Sequence, residues 1–293
     1  MMTPSLSADT SNTVVILDGH NLLFRFFFGM PTTIRAKTGA PIQGAYGFIA
    51  SVLQHMRRFA PAQLIVCFDS QGPPERSNSN PEYKANRQWA YTPGATDNPF
   101  TQLEYIEPAL ALLKVPTLSR EGTEADDLIA SLRKQLRSVY KRIILGSADH
   151  DLFQLVDDNT CIYVKRGQRE DIITPDWVKN KFGVTPAQFN EWRALVGDPS
   201  DNISGVRGIG KVTATGLLTQ YNALSDIFAN LRDLPPRHAS ALASHREAIW
   251  ENVALLSIHD DVPIDSKVLE DISHSVTDSS ISVRGVFSTL GFL

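Results

Sequence analysis

Three short aliphatic runs, each closely followed by an aspartate, constrain this chain more than any other feature of its sequence. Thr13 to Leu17 reads TVVIL and leads into Asp18, Leu64 to Phe68 reads LIVCF and leads into Asp69, and Ile143 to Leu145 is followed across Gly146-Ser147-Ala148 by Asp149. Runs this apolar, without alternation, read as strands buried on both faces. Between the first two lies Ala45 to Phe59, where Phe48, Ile49, Val52, Leu53, Met56 and Phe59 recur at helical spacing and predict one buried stripe. Strand, helix, strand in that order implies right-handed crossovers and an α/β fold with a central, mostly parallel sheet flanked by helices. The carboxyl ends of its strands lie along one edge, where ligands bind in such sheets, so Asp18, Asp69 and Asp149 are expected to meet there.

Further motifs bring more acids. Thr123-Glu124-Ala125-Asp126-Asp127 opens a predicted helix with the stripe Ala125, Leu128, Ile129, Leu132, Leu136 and Val139. Taken alone it reads equally well as a capping box whose first-turn acids complement the helix dipole. Asp149 and Asp151 flank His150 just past a strand, and Gly197-Asp198-Pro199-Ser200-Asp201-Asn202 follows a helix started by Thr185-Pro186 and stopped by Gly197. Each of these alone is an ordinary turn. Convergence of the whole set, Asp18, Asp69, Glu124, Asp126, Asp127, Asp149, Asp151, Asp198 and Asp201, would cost on the order of several kcal/mol in mutual repulsion. Divalent cations remove that cost, and oxygen donors without convergent His or Cys select magnesium or manganese over zinc. There are more acids than one octahedral ion takes, which suggests two ions, about 4 Å apart, clamping a phosphodiester for in-line attack by water.

A net charge of −4, from 28 basic and 32 acidic residues, argues mildly against a nucleic-acid partner when read globally. Acids gathered into a metal pocket would leave the remaining surface neutral or locally basic. Gly205-Val206-Arg207-Gly208-Ile209-Gly210-Lys211 allows close backbone approach to a phosphate and ends on a helix N-terminus, a combination that binds anions without reading bases. Gly72 to Phe100 is polar and too long for an ordinary connection, which marks a mobile functional segment. Met1 to Asn12 reads as a loose polar tail, and Cys67 and Cys161 sit in apolar runs that suit buried thiols in a reducing cytoplasm. With 293 residues, 42% of them hydrophobic, the chain is long enough for one large domain or a domain with an appendage.

The motifs LDGHNLLFR (Leu17 to Arg25), GAYGF (Gly44 to Phe48), CFDS (Cys67 to Ser70), YKANR (Tyr83 to Arg87), GTEADD (Gly122 to Asp127), SADHDLFQL (Ser147 to Leu155) and GDPSDNISGVRGIGKVTA (Gly197 to Ala214) follow one another in a specific order. Together they resemble the 5′ to 3′ exonuclease domain of bacterial DNA polymerase I and the related bacteriophage flap endonucleases, over nearly the whole chain after Asn12. The resemblance implies a flexible tail over 1–12 and a PIN-like 5′ nuclease core over 13–174, with residues 72–100 forming a helical arch. A helical DNA-binding region would follow over 175–293, with a helix-hairpin-helix-like motif at 197–221. It implies that Asp18, Asp69, Glu124 and Asp126 surround one Mg2+, with Asp127 close by, and that Asp149, Asp151, Asp198 and Asp201 surround a second, several through water. Mn2+ is the expected substitute. Asp69 and Asp149 would share the catalytic role with Lys84 and Arg87, whose charges stabilise the scissile phosphate. DNA would be held by Arg25, Arg76, Tyr83, Lys84 and Arg87, and by Gly205, Arg207, Gly208, Gly210 and Lys211, where K+ bridges backbone carbonyls and phosphate. The implied substrates are DNA 5′ flaps, 5′ ends and branches, RNA–DNA primers included, cut by a monomeric cytoplasmic enzyme of replication or repair.

The chain also departs from that pattern. Gln88 replaces the usual proline, Phe24 replaces a common tyrosine, His150 stands where many relatives carry lysine, and the stretch from Arg87 to Glu124 is several residues longer. His20 beside Asp18 reads as structural, the motifs fade from Asn222, and Arg237 to His259 reads as helix. Two other functions compete: a PIN-like ribonuclease, disfavoured by the Gly205 to Lys211 loop, and a non-catalytic branched-DNA-binding protein, disfavoured by the complete acid set.

Overall fold

The computed structural model describes residues 12–30, 34–70, 98–265, 268–270 and 280–293. Arg76, Tyr83, Lys84 and Arg87 of the expected arch lie outside the described residues. β1 (Thr13–Asp18), β2 (Gln63–Cys67), β3 (Thr117–Leu118), β4 (Arg142–Gly146), β5 (Thr160–Arg166) and β6 (Arg169–Ile173) form one sheet in the order β3-β2-β1-β4-β5-β6. Every neighbouring pair is parallel except β5 and β6, an antiparallel pair at one edge. The three expected strands are therefore β1, β2 and β4, with β1 in the middle.

Alternate residues of each strand enter separate cores, as the pleat requires. Val15, Leu17, Leu64 and Val66 pack with α2 (Gln43–Phe59), which follows α1 (Gly19–Gly29), and with α3 (Leu103–Leu112). All six residues of the predicted α2 stripe are buried, each contributing roughly 1.5–3 kcal/mol of hydrophobic stabilisation. Val14, Ile16, Ile65, Cys67, Ile143 and Leu145 face the opposite core with Leu128, Ile129 and Leu132 of α4 (Ala125–Leu136). Val139, expected in that stripe, is 65% exposed, because α4 ends at Leu136 and the stripe no longer continues.

The same core continues into α5 (Pro175–Phe182) and α6 (Pro186–Val196), the latter opened by a Thr185–Gln188 capping box and closed at Gly197, as the sequence predicted. An antiparallel hairpin follows, β7 (Gly197–Asp198) with β8 (Ile203–Ser204), and then α7 (Lys211–Tyr221) and α8 (Leu224–Ala229). The stretch from Arg237 to His259 is two helices, α9 (Pro236–Ser244) and α10 (Arg246–Leu256), separated at His245. Residues 175–293 do not form one layer: Val286 and Phe287 of α11 (Val283–Thr289) pack into the core under α2. No helix among the described residues is long and apolar enough to cross a membrane.

The hairpin depends on glycine at position 205. A Cβ there would lie 2.2 Å from the Val196 carbonyl oxygen and 2.7 Å from the Gly197 amide nitrogen, a backbone clash that no rotamer relieves. Gly205→Ala is expected to destabilise the protein by about 3 kcal/mol or more, with loss of the β7–β8 register. Gly208→Ala, at φ +91° with open space around its Cβ, should cost only about 1–2 kcal/mol. Urea unfolding of both variants measures the difference, and equal costs would show that the hairpin tolerates a wider separation.

Candidate metal centre

The loops after β1, β2 and β4 are tied together by the acids they carry. Asp18 caps α1: its Oδ1 accepts the Asn21 amide at 3.0 Å, and its Oδ2 accepts the Ser147 hydroxyl at 2.9 Å. Asn21 Oδ1 in turn accepts the amide of Ala148 at 3.0 Å, which fastens the β4 loop to α1. Beyond β2, Asp69 Oδ1 accepts the amide of Ala125 at 2.7 Å. This is the N-terminal cap of α4, and it comes from across the sheet edge, not from the local capping box. The N-cap residue of α4 is Glu124, whose side chain makes no capping bond, and the Thr123 hydroxyl donates to Glu121.

Asp69 Oδ2 lies 2.9 Å from His20 Nδ1, and the Asp69 amide lies 3.2 Å from the same nitrogen. The imidazole is held edge-on against Phe68 and Phe100. Past β4, the Asp149 amide donates to Ser147 Oγ and Asp149 Oδ1 accepts the Asp151 amide, each at 3.0 Å. Bonds from both near and distant segments thus fix the direction in which Asp18, Asp69 and Asp149 point.

Two groups of acids result. Asp126, Asp149 and Asp151 offer one oxygen each within 4.8 Å of one another, and so do Asp151, Asp198 and Asp201, with Asp151 common to both. Asp18 is 5% exposed, and its carboxyl is pushed up to about 7, first by burial and then by the charges of Asp69 and Asp149. Glu124 is buried at the start of α4, beside Asp126. Asp127 is in neither group: it is buried, and its Oδ1 accepts the amide of His259 at 2.8 Å.

The second group also contains a cation that the sequence reading overlooked. Arg193, on the last turn of α6 and 5% exposed, donates from Nη1 to Asp151 Oδ1 and from Nη2 to Asp198 Oδ2, and Asp201 Oδ2 lies 3.7 Å from Nη2. The signal was present in the sequence. Arg193 stands one helical turn after Phe189, on a face that is otherwise apolar and buried. His20 and Ser147 were missed as orienting partners because their contacts come from distant segments.

Of the residues expected to hold phosphate, Arg25 is half-buried on α1 with its guanidinium over the Phe26 ring, and burial followed by the nearby charge of Arg166 lowers its pKa. Val206 and Ile209 anchor the glycine loop in the core while Arg207, Gly208, Gly210 and Lys211 are exposed. Gly210 is the N-cap of α7, so the first amides of that helix open outward. Gly205 packs against the Val196–Gly197 backbone inside the hairpin.

The donor set suits a hard divalent cation. Both acidic groups consist of carboxylates alone, and the nearby Cys67 is buried in the core with its thiol pKa raised by burial. The raised Asp18 pKa has a consequence for stability. Asp18 ionises near 3.8 when unfolded and near 7 in the ion-free fold, so the fold loses stability as pH rises through that interval. A divalent ion held by Asp18 would need the ionised form and would offset the loss. The stabilisation by saturating Mg2+ is therefore expected to be larger at pH 8 than at pH 5.5, as read by thermal melting, and Asp18→Asn should reduce this pH dependence. Equal stabilisation at both pH values in the native protein would separate Asp18 from the ion.

Carboxylates gathered around one edge of a helix-flanked, mostly parallel sheet are an arrangement that can hold divalent cations beside a phosphate ester, as metal-dependent phosphodiester hydrolases do. Residues 13–183 match the family model of the 5′-3′ exonuclease N-terminal resolvase-like domain, and residues 184–279 match that of the 5′-3′ exonuclease C-terminal SAM fold. The chain belongs to the 5′-3′ exonuclease family. It is 34% identical over 263 residues to DNA polymerase I of Caldicellulosiruptor bescii, covering 88% of this chain and 30% of that protein. The thermostable DNA polymerase I of Thermus thermophilus is also 34% identical, over 253 residues, covering 86% of this chain and 29% of that protein. The chain thus spans under a third of the length of these relatives. Among solved structures, the bacteriophage T5 5′-exonuclease with bound zinc ions superposes with a TM-score of 0.68 at 26% identity, covering 89% of this chain and 97% of that one. A T5 flap endonuclease variant captured with DNA and metal ions gives 0.68 at 25% identity, covering 89% and 96%. The catalytic core of Rad2 shares the fold, with a TM-score of 0.53 at 14% identity, covering 96% and 88%.

Proposed function

We propose that this chain is a structure-specific 5′ nuclease that hydrolyses DNA phosphodiester bonds at 5′ ends and 5′ flaps with two Mg2+ ions, for which Mn2+ can substitute. The observation that carries this reading is the sharing of Asp151 between two carboxylate groups at the strand ends, next to Asp18 and Asp69. Asp18, Asp69, Glu124 and Asp126 are assigned to one ion, and Asp149, Asp151, Asp198 and Asp201 to the other, with Asp127 an outer support. The ions supply neutralisation of the phosphodiester and of charge developing on the entering and departing oxygens. The likeness to a flap endonuclease captured with DNA and metal ions favours a DNA substrate.

The chain's own residues do the positioning. Ser147 and Asn21 orient Asp18, while the Ala125 amide and His20 hold Asp69. Arg207, Lys211 and the exposed backbone at Gly208 and Gly210 would grip the duplex, where a bound K+ would add neutralising charge, and Gly205 shapes the turn. Arg25, Arg76, Tyr83, Lys84 and Arg87 receive the 5′ strand, and Lys84 and Arg87 stabilise charge on the phosphoryl oxygens in the transition state. Water attacks phosphorus in line, the 3′ oxygen departs and takes up a proton, and the downstream product keeps a 5′ phosphate. In domain terms, residues 13–174 with the arch segment 72–100 carry the chemistry, and residues 175–293, with the motif at 197–221, hold DNA. The enzyme acts as a monomer in the cytoplasm, on replication or repair intermediates that include RNA–DNA primers.

A 5′-flap DNA labelled at either end tests the reading. Mg2+ is expected to release the 5′-labelled flap as a short fragment ending in a 3′ hydroxyl and to leave a 5′ phosphate on the 3′-labelled remainder of the same strand, with no cleavage in EDTA. Binding without cleavage in Mg2+ would favour a non-catalytic branch binder, and preferential cutting of an RNA flap a ribonuclease.

A further inference from the structure

We infer that Arg193 is a built-in counter-ion of the second carboxylate group and that it sets how tightly that group takes a divalent cation, because guanidinium and cation compete for the same oxygens. The inference rests on the two-ion reading above. Arg193 is held firmly. The capping box at Thr185 fixes the start of α6, Phe189 stacks on Trp192 at 5.8 Å, and the Gly197 amide donates to the Arg193 carbonyl at the helix end.

Both oxygens of Asp198 and one of Asp151 are already engaged. Asp198 Oδ2 accepts from Arg193, and Asp198 Oδ1 accepts both the Ser200 amide, at 2.8 Å, and the Ser200 hydroxyl. Asp151 Oδ1 accepts from Arg193 as well. An ion that approaches Asp198 therefore meets Nη2 at Oδ2 or the two Ser200 donors at Oδ1, and the guanidinium charge opposes it in either case. Three carboxylates less one guanidinium leave two negative charges, so the group still attracts a divalent cation, but less than three free acids would. Asp201, 1% exposed with Oδ2 3.7 Å from Nη2, completes the charge balance. Arg193 touches Asp151, common to both groups, and Asp198, which belongs to the second alone, so it opposes the ion of Asp149, Asp151, Asp198 and Asp201 most, and filling is ordered: the ion of Asp18, Asp69, Glu124 and Asp126 binds first and the other at higher cation concentration.

Titration of the full chain with Mn2+ in the absence of DNA, followed by calorimetry and by the electron-spin signal of free Mn2+, provides the test. The native chain is expected to bind one Mn2+ and then a second at least about tenfold more weakly. Arg193→Gln should tighten the second event by on the order of tenfold, since removing the cation leaves buried charge uncompensated. It should also lower the ion-free melting midpoint, which Mn2+ restores by a larger shift than in the native chain. Arg193→Lys keeps the charge without a fork that spans Asp151 and Asp198, so a smaller tightening is expected. If Arg193→Gln does not fold without ions, Arg193→Lys decides the matter. Unchanged or weaker second-ion binding in a folded variant overturns the inference while leaving the two-ion reading in place. Failure of the native chain to take up any Mn2+ removes both.

Discussion

Asp69→Asn is expected to lower flap cleavage by on the order of a thousandfold while leaving DNA affinity within about threefold of the native value. The fold should survive, because the Asn carbonyl oxygen can still accept the Ala125 amide that Asp69 Oδ1 now accepts at 2.7 Å, so α4 keeps its cap. What is lost is one full negative charge beside Asp18 and one anionic oxygen, the one facing His20. Asp69 is the largest charge acting on Asp18, second only to burial among the causes of its raised pKa, so the substitution should also bring the Asp18 pKa down. Binding measured in EDTA by fluorescence anisotropy and single-turnover cleavage in Mg2+ separate the two effects. Cleavage near the native rate would place Asp69 in helix capping alone and remove it from the reacting centre.

The sequence made the acid-bearing sheet edge legible because the physics there is local. Strands buried on both faces have to be continuously apolar, and β1, β2 and β4 are, so the aspartates at their ends could be placed without knowing any contact. The stripe of α2 and the Thr185 and Gly197 signals of α6 were readable for the same reason. Where partners come from far along the chain, spacing was silent or pointed elsewhere. The capping-box reading at Thr123 follows from three-residue spacing, yet the cap is supplied by Asp69, 56 residues away. Asp127, expected close by the ion of Asp126, has its Oδ1 on the amide of His259, a partner 132 residues away that spacing did not indicate. Arg193 carried a visible anomaly, a charge on a buried helix face, whose meaning needed the positions of Asp151 and Asp198. The return of Val286 and Phe287 to the α2 core has no local signature at all.

Lys84→Ala is expected to reduce the rate of the cleavage step by on the order of a hundredfold or more, with duplex affinity changed by no more than about threefold. The argument is electrostatic. The acids at the strand ends repel a phosphodiester unless positive charge is brought to it, and as the phosphoryl oxygens gather charge in the transition state, a nearby ammonium becomes more favourable than it was in the ground state. On the proposed function, Tyr83-Lys84-Ala85-Asn86-Arg87, in a polar stretch of sequence between the β2 end and α3, would supply such charge. Arg207, exposed on the loop before α7, serves as the contrast. Arg207→Ala should weaken duplex binding and its salt dependence while leaving the cleavage step at saturating enzyme nearly unchanged. Single-turnover rates and anisotropy titrations on the same 5′-flap DNA resolve the four quantities. Parallel losses of rate and affinity in Lys84→Ala, matching the pattern in Arg207→Ala, would assign Lys84 to simple backbone binding and leave Arg87 as the remaining source of transition-state charge.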